Sequence, residues 1–321
     1  MDNSPKRDAF VQNLDVLTLA LITLIPGLVI HSCIIVINVN DWWKGRSLTL
    51  VDHIVTSLGI SRMWVQWAPT LHFLVVTFSP KSLNSYVIVI IIEAVYTFFL
   101  YVNIWLTALL SIVFCLKISN LHNRLFLYLK EIIANRTVHF IVVSGLLSAF
   151  SCLMHLWTTV VRNDGSYNTT MDNQILDCIY IESIINLTVG ASIPLFFYLI
   201  SFILLFTSLY HHIMKMKMNS NLSINLETYY SAMKLVSFTF IYNTLYFTGH
   251  VVVCLLLFFY CVTLQWPYIV LEFLPVLHSS YLIYRTAKLR RQMSKVLQNV
   301  IDFIFQRKAT ATRENAEAIV L

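Results

Sequence analysis

The chain has 321 residues, of which 58% are hydrophobic and only 12% are charged, and its formal net charge is +6. A soluble domain has about 25% charged residues, so this chain has too few charges to cover so much apolar surface in water. Composition therefore excludes a soluble globular protein and predicts one that crosses a membrane several times.

Seven apolar stretches are long enough to span a bilayer as helices, and they cover residues 16–38, 50–77, 86–116, 138–160, 180–210, 232–259 and 263–285. A spanning helix requires about 20 residues. The sequence has neither the alternating pattern of a β-barrel nor an evident internal repeat. We therefore predict an all-α, seven-transmembrane helix bundle over residues 16–288. An N-terminal segment, 1–15, precedes it and a tail, 289–321, follows it.

Lysine and arginine are unequally divided between the two sets of connecting segments. One set, together with the C-terminal segment, holds 17 of them, whereas the opposite set holds four: Lys6, Arg7, Lys81 and Arg162. Because basic residues are retained on the cytosolic side, we predict an extracellular N-terminus and a cytosolic C-terminus. Lys117 then marks the cytosolic end of the third span, and residues 121–133 form an amphipathic segment at the inner membrane face.

The glycosylation sequons and the cysteines say less about fold and function than the distribution of basic residues does. Of the four N-x-S/T sequons in the sequence, only Asn168 lies in a predicted extracellular loop, and we expect glycosylation there. The six cysteines match no metal-binding spacing, and most lie within apolar spans. Whether Cys178 and Cys261 form a disulfide is left open.

Charged residues inside the predicted spans are informative because each is costly in a membrane and usually functional. They are Arg62 in the second span, Glu93 in the third, Glu182 in the fifth and Glu272 in the seventh. The three glutamates lie toward the outer half, where a receptor would hold a ligand. An ion carrier would place acids and bases along several helices, and no catalytic motif is present. The sequence thus favours a receptor over a transporter or an enzyme.

The chain lacks the signature motifs of the largest class of seven-helix receptors. That class usually has D-R-Y at the inner end of the third helix and N-P-x-x-Y in the seventh. The corresponding stretches here read "CLKISN" and "LPVLHSSYLIY". The chain is therefore not an ordinary member of that class.

Motifs on six of the seven predicted helices resemble those of another receptor family. They are "VINVNDWWK", "LGISRMWVQW", "WLTALLSIVFCLKISN" followed by "LFLYLK", "IPLFFYLISFILLFTSLYHHIMKMKMN", "YYSAMKLVSF" and "PVLHSSYLIYRTAKLRRQ". In residue pattern, order and spacing they are similar to the motifs of the type 2 taste receptors, the bitter taste receptor family. The chain resembles a divergent member, since His31 stands where that family commonly has asparagine.

The resemblance implies a G-protein-coupled receptor at the plasma membrane. Such a receptor binds small bitter molecules and activates a gustducin-type heterotrimeric G protein. The resemblance implies no cofactor, no catalysis and no nucleic-acid partner, with membrane lipids around the bundle. Homo- or hetero-oligomers are left open. Two alternatives remain: a vomeronasal type 1 receptor, from the nearest related family, and a non-signalling membrane carrier.

Family positions carried onto this sequence predict a ligand pocket in the outer half, between the third, fifth, sixth and seventh helices. Five of its residues come from the resemblance: Tyr96, Leu100, Asn186, Tyr246 and Tyr268. Glu272 is added because it lies one turn inward from Tyr268 and could favour cationic ligands. Each aromatic residue has the alternative role of packing or of lying in the interfacial belt.

Signalling residues are predicted in the middle and at the inner end of the bundle. Arg62 should face the bundle and donate to Asn38, to Ser279 or to the carbonyl left free by Pro275, either as an activation lock or as a structural hub. The resemblance assigns His278 and Ser279 to a switching element. The expected G-protein site is surrounded by Lys117, Ile118, His211, Lys215, Lys234 and Lys288. Positive-inside anchoring is the alternative role of the lysines.

Overall fold

The structure is a computed structural model that describes residues 4–78, 83–118, 124–165, 181–218, 223–260 and 265–320. The described residues form eight helices: α1 Ser4–Trp43, α2 Leu50–Phe78, α3 Leu83–Ile118, α4 Arg124–Gly165, α5 Ile181–Met218, α6 Ser223–Tyr260, α7 Gln265–Arg285 and α8 Ala287–Val320. The described part of each predicted span falls on one of the helices α1 to α7, in the predicted order. The all-α prediction is therefore confirmed.

Within the described residues, four helices are long and apolar enough to cross a membrane by length and composition alone. The segments are Leu14–Trp43, Val87–Ile118, Asn135–Trp157 and Gly190–Lys215, on α1, α3, α4 and α5. Large apolar side chains on the outside of the bundle are exposed, for example Leu146 and Phe150 on α4 and Phe196 on α5. Such a surface is stable against lipid chains and not against water.

The helices pack as one bundle. Helix α2 lies between α1 and α3, α3 also contacts α4 and α5, and α7 closes the bundle against α1 and α6. The largest buried core, toward one end of the bundle, includes Ile54 and Leu58 from α2, Leu106 and Leu110 from α3, and Leu209 from α5. This packing directs the polar faces of α2, α3, α6 and α7 toward one another.

Helix α4 is bent at Arg136, whose backbone angles, φ −128° and ψ 27°, are not helical. Residues 124–135, here called the arm, precede the bend, and the candidate span Asn135–Trp157 continues from it. Leu127 and Tyr128 on the arm are 56% and 63% exposed. The described part of the predicted amphipathic segment, 124–133, thus lies on a helical arm distinct from the spanning part.

One end of the bundle, here called the basic end, holds the end of α1, the start of α2 and the ends of α3 and α7. Lys288 joins Asp41 and Asp52 there, at 3.2 Å from a carboxylate oxygen of each. Helix α2 begins with a capping box, in which Asp52 accepts a bond from the Thr49 backbone N–H and donates its own N–H to Thr49 Oγ1. The opposite end is called the far end.

Candidate functional site

A buried polar chain crosses the middle of the bundle, and Arg62 is its centre. Arg62 is 1% exposed. Its Nε–H donates to Asn103 Oδ1 at 3.2 Å, and its Nη1 group donates to Ser279 Oγ at 2.7 Å and meets His278 Nδ1 at 2.9 Å. The guanidinium also lies over the Tyr242 ring, 5.5 Å from its centroid. One cation on α2 thereby contacts α3, α6 and α7.

The geometry fixes which nitrogen of His278 carries the proton. Arginine can only donate, so His278 Nδ1 must accept from Arg62 and the proton lies on Nε2. That Nε2 lies 3.2 Å from Thr239 Oγ1, which in turn donates to the Leu235 carbonyl at 2.9 Å. The central polar chain therefore runs Asn103–Arg62–His278–Thr239, with Ser279 as a branch.

Of the three partners predicted for Arg62, the structure confirms Ser279. Asn38 instead donates to Thr56 Oγ1 at 2.8 Å and accepts from Lys288 at 3.3 Å, nearer the basic end. The prediction that Asn38 binds Arg62 is therefore wrong. So is the expected bond to the carbonyl left by Pro275, since among the described residues the acceptors of Arg62 are all side chains.

A second group of polar side chains lies toward the far end, around Glu272. This carboxylate is 4% exposed and accepts a bond from the Tyr96 hydroxyl at 2.9 Å. Its other oxygen, Oε2, has no hydrogen-bond partner among the described residues. Gln66 donates to the Glu272 backbone carbonyl at 3.0 Å, and Gly27 on α1 leaves the space that the Gln66 amide occupies. A buried carboxylate with an unused oxygen is costly unless something else supplies a donor.

A small cavity of about 40 Å³ adjoins this group between α3, α5 and α6. Tyr246, His250, Asn103 and Tyr198 are among its lining residues. Tyr246 and His250 meet edge to face, with ring centroids 4.6 Å apart. The volume suffices for about three water molecules. It is far below the roughly 300 Å³ at which ligand pockets begin, so this cavity, as its described lining forms it, is too small for a drug-sized ligand.

Four of the six predicted ligand residues lie in this region. Leu100 and Tyr246 are buried in one apolar cluster against which Tyr96 packs, and Tyr96 bonds to Glu272. Only Tyr246 of these four lines the small cavity. Asn186 and Tyr268 lie on α5 and α7, but their side chains are outside the described part of the structure. Two further points raised by the sequence also fall outside the described residues: the predicted glycosylation at Asn168 and the open question of a disulfide between Cys178 and Cys261.

The residues predicted for the G-protein site differ in their surroundings. Lys117, His211, Lys215 and Lys234 are exposed, and Ile118 is half-buried against the main core. Lys288, in contrast, is bound to Asp41, Asp52 and Asn38 of its own chain. It therefore joins the start of α8 to α1 and α2, a role that the sequence did not predict.

A further bond at the basic end connects α6 with α7. Arg285 donates from Nη1 to Ser231 Oγ at 3.0 Å and from Nε to the Tyr281 hydroxyl at 3.0 Å. Ser231 lies near the start of α6. An outward movement of this end of α6 would break the bond to Ser231.

Comparisons with known proteins agree with this arrangement. The family model described as "Taste receptor protein (TAS2R)" matches residues 11–301. Taste receptor type 2 member 64 of Pan paniscus is 30% identical over 82% of this chain and 87% of its own length. Taste receptor type 2 member 20 of Homo sapiens is 27% identical over 88% of this chain and 93% of its own length. Taste receptor type 2 member 9 of Macaca mulatta is 28% identical over 86% of this chain and 90% of its own length.

These relatives are signalling receptors and not enzymes, which also decides against the vomeronasal and carrier alternatives. That family consists of seven-helix, G-protein-coupled membrane receptors, and the helix bundle with its apolar exterior fits this architecture. With the match over residues 11–301, the chain belongs to the TAS2R family of bitter taste receptors.

Proposed function

We propose that this chemosensory receptor resides in the plasma membrane, with its N-terminus extracellular and the basic end cytosolic. The proposal divides the chain into an extracellular segment, 1–15, a receptor domain, 16–288, and a cytosolic tail, 289–321. The excess of lysine and arginine at the basic end supports this orientation. Glycosylation at Asn168 belongs to the same proposal.

The proposed agonist site lies in the far-end half of the bundle, around Tyr96, Leu100, Tyr246 and Glu272, and includes Asn186 and Tyr268. The observation that carries it is Glu272, a buried carboxylate with one oxygen bound to Tyr96 and the other without a partner among the described residues. A ligand amine would supply the missing donor. Small amphipathic cations are therefore the agonist class that this site favours.

Agonist binding would be transmitted to a gustducin-type heterotrimeric G protein at the basic end. Tyr246 lies next to Tyr242, which stacks on His278 with ring centroids 4.4 Å apart. This aromatic contact connects the proposed ligand site to the central polar chain. The proposed G-protein contacts at the basic end are the exposed Lys117, His211, Lys215 and Lys234, together with Ile118 and Lys288. Agonist would stabilise a conformation in which that end is open.

The test is a calcium assay in cells that express the chain with a promiscuous Gα subunit. Agonists found in a panel of bitter compounds are sorted into cationic and neutral groups. Glu272→Gln should reduce the potency of cationic agonists about 10- to 100-fold, because a charge-assisted hydrogen bond is lost, and should leave neutral agonists nearly unchanged.

Glu93→Gln is the matched control. Glu93 also lies toward the far end, but its side chain is 49% exposed and faces His155 at 3.8 Å. Glu93→Gln should change the potency of cationic and neutral agonists only slightly, and by the same factor. Equal losses for cationic and neutral agonists in Glu272→Gln, at equal surface expression, would contradict the proposed role of the carboxylate.

A further inference from the structure

A second cavity lies at the basic end, far from the proposed agonist site. Its volume is about 220 Å³, and it is lined by Thr49, Leu50, Val51, Val113, Leu116, Lys117, Lys130 and Ile133. It thus lies between the start of α2, the end of α3 and the arm. An engineered apolar cavity of about 150 Å³ binds benzene, whereas drug-sized ligands require about 300 Å³ or more. This cavity therefore suits a hydrocarbon chain and not a whole drug-sized molecule.

The walls of the cavity divide into an apolar floor and a basic rim. Val113, Leu116 and Ile133 on the floor are 4%, 6% and 7% exposed. Lys117 and Lys130 on the rim are exposed, and neither forms an ion pair with an acidic residue in the part of the chain that the structure describes. A ligand with an apolar tail and an anionic head matches this division.

The surrounding residues place the rim at the level of lipid headgroups. Trp42 and Trp43, at the end of α1, are 64% and 83% exposed, and exposed aromatic residues concentrate at the membrane–water interface. On the arm, Leu127 and Tyr128 are also exposed. Both features indicate that the cavity opens where the acyl region of a leaflet meets its headgroups.

We propose that this cavity binds one anionic phospholipid of the leaflet that borders the basic end. One acyl chain packs against Val113, Leu116 and Ile133, and the phosphate lies between Lys117 and Lys130. Lysine binds phosphate as a point charge, and basic residues at this level attract anionic lipids. The inference relies on the proposed orientation only to name the leaflet as the cytosolic one.

The purified full-length chain in phosphatidylcholine nanodiscs provides the test. The probe is a phosphatidic acid with a photoactivatable group at the end of one acyl chain, and labelled peptides are identified by mass spectrometry. Labelling should concentrate on the end of α3 and on the arm. It should exceed severalfold the labelling by a phosphatidylcholine probe with the same chains.

Two variants test the contact with the phosphate headgroup and the contact with the acyl chain separately. Lys117→Gln combined with Lys130→Gln should reduce this labelling about fivefold per lysine, and Val51→Phe should reduce it by filling the cavity while both lysines remain. The matched control is Arg291→Gln combined with Lys295→Gln, which removes the same charge from exposed positions on α8. Labelling of the cavity should be unchanged in that control.

Three results would overturn the proposal. The first is equal labelling by the phosphatidylcholine probe, and the second is labelling spread evenly over the lipid-facing surfaces of α4 and α5. The third is displacement of the probe by oleate but not by unlabelled phosphatidic acid, which would identify a free fatty acid as the ligand. Because the assay uses neither agonist nor G protein, its failure would leave the proposed receptor function untouched. Specific labelling of a chain that is silent in the calcium assay would count only against that function.

Discussion

Arg62 and Lys288 are both basic residues that join several helices, yet they differ in burial and in the charge of their main partners. Arg62 is 1% exposed, and its partners are neutral side chains of Asn103, His278 and Ser279. Lys288 has a side chain that is 33% exposed, and it lies 3.2 Å from each of two carboxylates, Asp41 and Asp52. The same formal charge is thus solvated by dipoles in the middle of the bundle and by counter-ions at its end.

The difference shows what each cation does for the fold. A buried cation cannot exchange its partners for water, so every bond of Arg62 constrains the relative positions of α2, α3 and α7. Lys288 is one-third exposed and can reach water and ions, although the side chains of Asp41 and Asp52 are only 5% and 12% exposed, so these pairs are screened in part. The central polar chain should therefore couple the positions of the helices strongly, whereas the contacts of Lys288 at the basic end should couple them weakly.

Replacement of Arg62 by alanine should have the largest effect. Arg62→Ala leaves Asn103 Oδ1 and His278 Nδ1 buried without a donor, at about 1–3 kcal/mol each. We expect the agonist-induced calcium response to fall more than tenfold while part of the protein still reaches the cell surface. Surface labelling in parallel with the calcium assay checks this. A normal dose response at matched surface level would show that the central polar chain does not couple the helices.

The sequence predicted the helices and the burial of Arg62 for the same physical reason. A long apolar run has no other stable place than a membrane, and a charge within such a run must face the bundle. Ser279 was predicted as a partner because a buried arginine must donate to polar side chains or carbonyls of the helices that face it. The side chains of Tyr96 and Glu272 were predicted to line the same pocket, and the structure adds the hydrogen bond between them.

The other partners of Arg62 and Lys288 could not be predicted. Asn103 and Thr239 are uncharged, and a threonine in a helix ordinarily bonds to its own backbone, so neither residue stands out in the sequence. Asp41 and Asp52 lie more than 230 residues before Lys288. Only the closure of α7 against α1 and α2 brings these carboxylates to the lysine.

Thr239→Val should have the next largest effect, because it shortens the central polar chain without changing its shape. His278 Nε2–H would lose its acceptor in a buried site, which costs about 1–3 kcal/mol. We expect a lower thermal midpoint of the purified receptor and a severalfold loss of potency. Thr18→Val is the control, since Thr18 is exposed and its hydroxyl, among the described residues, bonds to the Leu14 carbonyl of its own helix. Equal shifts in the two variants would rule out a special role for the His278–Thr239 contact.

Substitutions at the basic end should have the smallest effects, and salt should reduce them further. Lys288→Gln removes a cation that bridges two carboxylates, whereas Arg46→Gln removes one that is 64% exposed and pairs with Asp41 alone, at 2.9 Å. We expect a loss of about 1 kcal/mol for the first, the upper end of the range of surface ion pairs, because its carboxylates are only 5% and 12% exposed, and less than about 0.5 kcal/mol for the second. Thermal midpoints of the purified receptor measure both.

Ionic strength then distinguishes the two regions directly. At about 1 M salt the Debye length is about 3 Å, so the loss from Lys288→Gln should shrink toward that of Arg46→Gln. The loss from Thr239→Val should persist, because neutral partners inside the bundle are not screened by ions in solution. If the deficit of Lys288→Gln were as independent of salt as that of Thr239→Val, Lys288 would act as a buried structural cation like Arg62, and the contrast between the two regions would fail.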